Sequence, residues 1–232
     1  CVVSQSTTFV PGIYDLPNGI LIGASQIILD CNGATLDGRN GLVNGNGIII
    51  IWKNNVIIKN CNIQYYKEYG IRASEMYDSA LRENNITNSR TWHGIYAINS
   101  SNNMVENNLL LENRHDGITL GENSENNTIR GNIIANNPLR HGIYLNAGAN
   151  RNQLLENNIT NMSNGGVVIE LSAENNIISN FIVDSQREGI ILGDTSNNLI
   201  YNNYFRNNVN IRLAGVNNND QWNTTKTPGR NI

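Results

Sequence analysis

The sequence predicts an all-β chain wound as a single-stranded, right-handed parallel β-helix of about eight or nine coils, 22–25 residues to a coil. Three observations predict it. Gly-hydrophobic pairs recur along almost the whole chain, the apolar residues inside each copy alternate with period two, and asparagines occupy fixed places between them.

The glycine series fixes the coils. Gly47, Gly70, Gly94, Gly117, Gly142, Gly166 and Gly189 each precede an isoleucine or valine, at gaps of 23, 24, 23, 25, 24 and 23 residues. Asn210-Ile211 continues it 21 residues later, and the segment from Gly23, GASQIILDCNGATLDG, reads as a degenerate earlier copy. Period two identifies strands, because successive side chains of a strand point to opposite faces. One inward column reads Ile48, Ile71, Ile95, Ile118, Ile143, Val167, Ile190, Ile211, and the next reads Ile50, Ala73, Ala97, Leu120, Leu145, Ile169, Leu192, Leu213. A repeat this short cannot close a core alone. Stacked coils about 4.8 Å apart can, since every strand then pairs with its copy above and below. Parallel crossovers favour the right-handed winding.

The chain has 46 asparagines among 232 residues. One later column reads Asn60, Asn84, Asn107, Asn157, Asn180 and Asn202, with Gly131 in the gap. Identical amides one rung apart can bond into a ladder. Glycine and asparagine also suit the bends, because both tolerate left-handed backbone. Residues 1–22 are expected to be a capping or lead-in segment, 23–216 the β-helix, and 217–232 a tail or cap. A leucine-rich solenoid would need leucine spacing and a helical half-repeat, and neither is present.

Composition removes several partners. The net charge is −3 and no basic block or arginine stripe marks a nucleic-acid surface. No apolar run approaches the length of a transmembrane helix. The cysteines Cys1, Cys31 and Cys61 form no CxxC pair, so a zinc site has no support, and no metal or cofactor is expected. Six sequons, at Asn85, Asn99, Asn126, Asn158, Asn161 and Asn223, are candidate glycosylation sites in a chain where chance alone produces many.

All three histidines lie within two residues before a rung glycine. The column just before the glycine reads Tyr69, His93, Asp116, His141, Gly165, Glu188; one residue back it reads Glu68, Trp92, His115, Arg140, Asn164, Arg187. Stacking brings His93, Asp116 and His141 into one short line, flanked by Trp92, His115 and Arg140. Arg72, Tyr96, Thr119 and Tyr144 face outward on the adjoining strand. Asp116 between two imidazoles is expected to raise their pKa. Such a patch can be catalytic, can hold a glycan or another partner without turnover, or can be a solvated turn. Glu170 and Asp194 read as solvated outward carboxylates, and the glycines of GRNGLVNGNG (38–47) as loop residues.

The segments IILDCNGATLDG, NNVIIKNCNI and NNTIRGNII resemble the β-helical repeats of NosD-type periplasmic proteins and of carbohydrate-binding and sugar-hydrolase (CASH) domains, and the likeness covers essentially the whole chain. It implies a secreted or cell-surface β-solenoid, periplasmic in some relatives. By that resemblance Cys1 pairs with Cys31, while the matching places of Cys31 and Cys61 in neighbouring coils make them a competing pair. Cys1 could also mark a processed lipoprotein. The implied roles are structural, adhesive or carbohydrate-binding, with polysaccharide or surface glycan as partner. Exposed strand edges at the solenoid ends allow self-association end to end. The alternative is a uronate lyase or C5-epimerase: Arg72 or Arg140 neutralises a sugar carboxylate, His93 or His141 is the base, Tyr96 or Tyr144 the acid, and Trp92 a stacking face. The acidic triplet of polygalacturonases, the Tyr-Gly-Phe-Asp-Pro-His signature of alginate epimerases and the calcium-binding acidic cluster of pectate lyases are absent. The family's copper association does not carry over, because no Met/His ligand set is visible.

Overall fold

Strands of mostly three or four residues, separated by sharp bends, coil into three long parallel sheets. The structure, a computed structural model, describes residues 1–39 and 45–222. Ten strands form the first sheet, from Val2–Val3 to Val209–Asn218. Ten form the second, from Thr7–Thr8 to Gln221–Trp222, and nine the third, from Ile13–Asp15 to Tyr204–Arg206. Each strand pairs in parallel with its copy one coil away, giving a β-helix of about nine coils. Among the described residues no helix is long and apolar enough to cross a membrane.

Register follows the expected columns. Ile71 pairs with Ile48 and Ile95, Ile118 with Ile95 and Ile143, Val167 with Ile143 and Ile190. From Ile48 to Ile190 this column has no exposed surface. In the second column Leu213 is 57% exposed instead of buried, because no described rung covers it. Ile20 pairs with Ile48, so the early copy begins at Gly19-Ile20, four residues before Gly23. Residues 1–22 supply the first strand of each sheet and the start of the next coil. In the expected tail, residues 217 and 218 end the last first-sheet strand and Gln221–Trp222 is the last strand of the second; 223–232, with Asn223, lie outside the described residues, as do 40–44 of the glycine loop.

Two different asparagine columns stand where one was expected. The buried ladder runs Asn84, Asn108, Asn132, Asn157, Asn180, Asn203; each amide Nδ2 donates to the Oδ1 of the next rung at 2.9–3.0 Å. Asn60, Asn107, Gly131 and Asn202 belong to the adjacent bend position and have positive φ. A second buried ladder joins Asn103, Asn127, Asn152, Asn175 and Asn198 and ends on the carboxylate of Asp220. Inside the bends these amides satisfy buried backbone groups that the sheets cannot reach.

Cys31 and Cys61 form the disulfide, with Cα atoms 4.7 Å apart, and Cys1 is an exposed free thiol. The Cys1–Cys31 pairing is therefore overturned: two cysteines one rung apart sit within disulfide reach. Of the sequon asparagines, Asn126, Asn158 and Asn161 are exposed, while Asn85 and Asn99 are partly covered.

Candidate functional site

On the first sheet, strand Ile118–Gly121 carries small residues, Thr119 and Gly121, on its outward face, and both are buried between larger residues of the neighbouring strands. Thr119 lies in register between Tyr96 and Tyr144. Two residues on, Gly121 follows, where even a Cβ would come within 2.7 Å of Asn146 Oδ1. The middle rung thus becomes the floor of a trough of about 260 Å³. Trp92, His93 and Tyr96 wall one side, Arg140, Tyr144, Asn146 and Ala147 the other, and His115, Asp116, Thr119, Gly121 and Glu122 line the floor.

The lower wall is a shelf of stacked rings. Tyr69 lies under both His93 and Tyr96, with ring centroids 5.7 and 4.9 Å away and planes 20° and 15° from parallel. His93 and Tyr96 stack at 5.5 Å, and Trp92 meets His115 edge-on at 4.9 Å. Tyr69 covers one side of the His93–Tyr96 pair, and the trough opens on the other. Burial first, then neighbouring charge, raises the pKa of Tyr69 and Tyr96, so both hydroxyls stay neutral at ordinary pH.

One coil on from this shelf sits Asp116, with no exposed surface. Its Oδ2 lies 3.0 Å from His93 Nδ1 and accepts the Thr119 hydroxyl at 3.0 Å, while Oδ1 accepts the His141 N–H at 3.0 Å. Burial pushes the Asp116 carboxyl up, but the His93 bond, both imidazoles and the His141 amide together hold it below the usual carboxylate range. His93 Nδ1 also accepts the Asp116 backbone N–H at 3.2 Å, and among the described residues the hydrogen bonds of the His93 ring are all made at Nδ1, which leaves Nε2 for a ligand.

The upper wall behaves differently. Glu170 is not simply solvated: its Oε2 accepts the Tyr144 hydroxyl at 2.6 Å, and burial together with that bond pushes Tyr144 up to about 12. His141 lies buried behind the wall, outside the trough lining, where its Nδ1 accepts the Gly165 N–H at 3.2 Å. Burial outweighs the pull of Asp116 there and lowers the His141 pKa, which corrects the expectation that Asp116 would raise it. His115 is lowered as well, by burial and then by His93 and Arg140. Arg72 pairs in register with Tyr96 but lies outside the lining.

Eight of the ten expected patch residues thus line one trough, and His141 and Arg72 flank it. Gly121, Glu122, Asn146 and Ala147 complete it. Gly121 and Asn146 end their strands and Glu122 and Ala147 follow them, beyond the two apolar columns, where the columns gave no signal.

Fold and ladders define the class: a parallel β-helix repeat protein. The model of the family described as periplasmic copper-binding protein (NosD) matches residues 13–165 and, overlapping, 92–232, and the chain belongs to that family. A mannuronan C5-epimerase of Pseudomonas putida is 28% identical over 136 residues, which is 54% of this chain and 26% of that protein. The chain therefore matches about a quarter of that relative's length. Among solved structures, the periplasmic alginate epimerase AlgG superposes with a TM-score of 0.70 at 15% identity, over 88% of this chain and 50% of that one. DFA-IIIase from Arthrobacter chlorophenolicus gives 0.68 at 15%, over 89% and 58%. The Dettilon tailspike protein gives 0.58 at 14%, over 92% and 60%. These structural likenesses concern the fold alone.

A copper site does not fit the donors present. Among the described residues no three His, Cys, Asp or Glu side chains converge to hold a metal. Met76 and Met162 are sealed in the core, and His93 and His141 each commit Nδ1 to the protein.

Proposed function

We propose that this chain is a carbohydrate-binding β-helix that seats one sugar residue of a uronate-containing polysaccharide in the trough over Thr119. The observation that carries the reading is the spacing of its walls. Tyr96 and Tyr144 are two rungs apart, about 10 Å, so a ring lying between them stands about 5 Å from each. That separation suits a puckered sugar against an aromatic face, and the polar tips of His93, Tyr144 and Arg140 can meet hydroxyls and a carboxylate. An extracellular or periplasmic setting belongs to the same proposal, supported by the family's description and the disulfide.

One observation favours a second reading, proton transfer at the carbon beside the carboxylate. The Asp116 carboxylate and backbone N–H both hold the imidazole at Nδ1 and leave Nε2 as the ring atom able to exchange a proton with a ligand. Arg140 would then hold the carboxylate, and Tyr144 would stand on the opposite wall as proton donor. Calorimetric titration with oligomannuronates tests binding, and Trp92→Ala/Tyr96→Ala is expected to abolish it. The same mixtures in D2O, followed by proton NMR, test turnover: uptake of deuterium at C5 that His93→Gln removes supports the enzyme. Binding that survives the aromatic double variant refutes the trough.

A further inference from the structure

The trough has a direction. Its floor runs along the strand from His115 to Glu122, seven residue steps or roughly 20 Å, whereas its width is two rung spacings, about 10 Å. Along the solenoid axis it is bounded by Tyr96 on one side and Tyr144 on the other. A polymer seated there must leave along the strand direction, around the coil.

At the His115 end the surface does not stop. A second groove of about 370 Å³ opens around the same bend, lined by Tyr65, Asn88, Ser89, Arg90, Glu112, Arg114 and Pro138. The two linings meet at consecutive residues, Arg114 and His115, and Arg90 stands two residues before Trp92. Tyr65, Arg90 and Arg114 are all exposed, and the Arg90 guanidinium lies 6.0 Å from the centre of the Tyr65 ring. Its lining holds two guanidinium groups, of Arg90 and Arg114, and one carboxylate, of Glu112. An aromatic face beside them offers a surface for a sugar.

We infer that this second groove is an anion-selective subsite for a uronate residue further along the same polysaccharide, so that the chain follows the strand direction around the coil, from the trough past the bend at Trp92 and His115 to Arg90 and Arg114. The inference rests on the trough reading and adds the polymer's path and the second contact. Glu122 closes the opposite end of the trough with a negative charge, which repels a uronate there and favours growth of contacts toward the arginines.

Titration with oligomannuronates of increasing length tests it. The unmodified protein is expected to bind tighter as the oligomer grows from two sugars to six. Arg90→Ala/Arg114→Ala is expected to bind the disaccharide unchanged while losing about tenfold of the gain made by the longer oligomers. Arg130→Ala removes a charge elsewhere, from the second sheet, and is expected to keep that gain. A length gain that survives loss of both arginines overturns the subsite while leaving the trough intact. Disaccharide binding that is absent, or indifferent to Trp92→Ala/Tyr96→Ala, overturns the trough reading and the subsite with it.

Discussion

The Oδ2 atom of Asp116, a side chain with no exposed surface, lies 3.0 Å from the Nδ1 atom of His93 in the coil below. Asp116 also accepts from Thr119 and from the His141 amide, so a single carboxylate ties three adjacent coils together beneath the trough. Replacing it leaves several buried groups unpaired at once. Asp116→Asn keeps the size but removes the charge and an acceptor. It is expected to cost about 2–4 kcal/mol in urea denaturation. It should also weaken oligomannuronate binding, since His93 loses its orientation. An unchanged denaturation midpoint would show that the carboxylate does not hold this wall.

The same cluster makes stability fall with acid. Burial lowers the His141 pKa in the folded protein, and His115 is lowered for the same leading reason. Below the ordinary imidazole value near 6.5 the unfolded chain takes up protons that the folded protein refuses, so stability declines as pH drops through about 6.5 toward the folded values. Asp116 adds a second step. Its folded pKa is depressed, so its contribution is present above the ordinary carboxylate value near 4 and is lost as pH falls through the folded one. Denaturation midpoints between pH 8 and pH 3 should show both arms. His141→Gln should flatten the upper arm while leaving the lower, and an upper arm unmoved by that change would assign it elsewhere.

In the buried ladder, Asn132 is bonded on both sides. Its Oδ1 accepts the Asn108 N–H at 2.9 Å and the Asn108 amide at 3.0 Å, and its Nδ2 donates to Val105 O at 2.8 Å and to Asn157 Oδ1 at 3.0 Å. Asn132→Ala removes buried partners from the coils on both sides, from Val105 and Asn108 on one and from Asn157 on the other. The expected loss is about 2–5 kcal/mol, more than for Asn161→Ala at an exposed bend. Equal losses at the two sites would mean the ladder adds nothing beyond local bend preference.

Much of this architecture was legible because a solenoid repeats its instructions. Six glycine gaps and two apolar columns gave the rung spacing and the register of the first sheet, and the histidine columns gave most of the trough. What escaped depends on three-dimensional detail that period alone does not carry. Two asparagine columns one residue apart merged into one, because Asn84 and Asn60 differ only in which side of the bend they face. The lowered pKa of His141 reflects how deeply the turn is buried, whereas the column showed only that a carboxylate was near. Gly121 was passed over because its importance lies in the side chain it lacks.

The rung glycines carry a further consequence, and it is steric. None of the series from Gly47 to Gly189 has positive φ; those values fall mostly on bend residues such as Asn60 and Asn107. At Gly142 a Cβ would meet Ile159 Cγ2 at 2.4 Å and the backbone oxygen of Gly166, one rung on, at 2.6 Å. Gly70, Gly94, Gly117, Gly166 and Gly189 likewise face the backbone oxygen of the following rung at 2.6–2.8 Å. Asn210 can replace glycine because no described rung lies beyond it, and its side chain is exposed. Gly142→Ala should therefore cost about 1–3 kcal/mol or more, since a backbone carbonyl cannot swing aside as a side chain can. Gly33 is the opposite case: φ is +80° and nothing lies within 4 Å of a built Cβ. Asparagine tolerates that conformation, so Gly33→Asn should cost under about 1 kcal/mol. Urea midpoints of the two variants decide the matter, and a Gly142→Ala protein as stable as Gly33→Asn would show that the coils can separate to admit a methyl group.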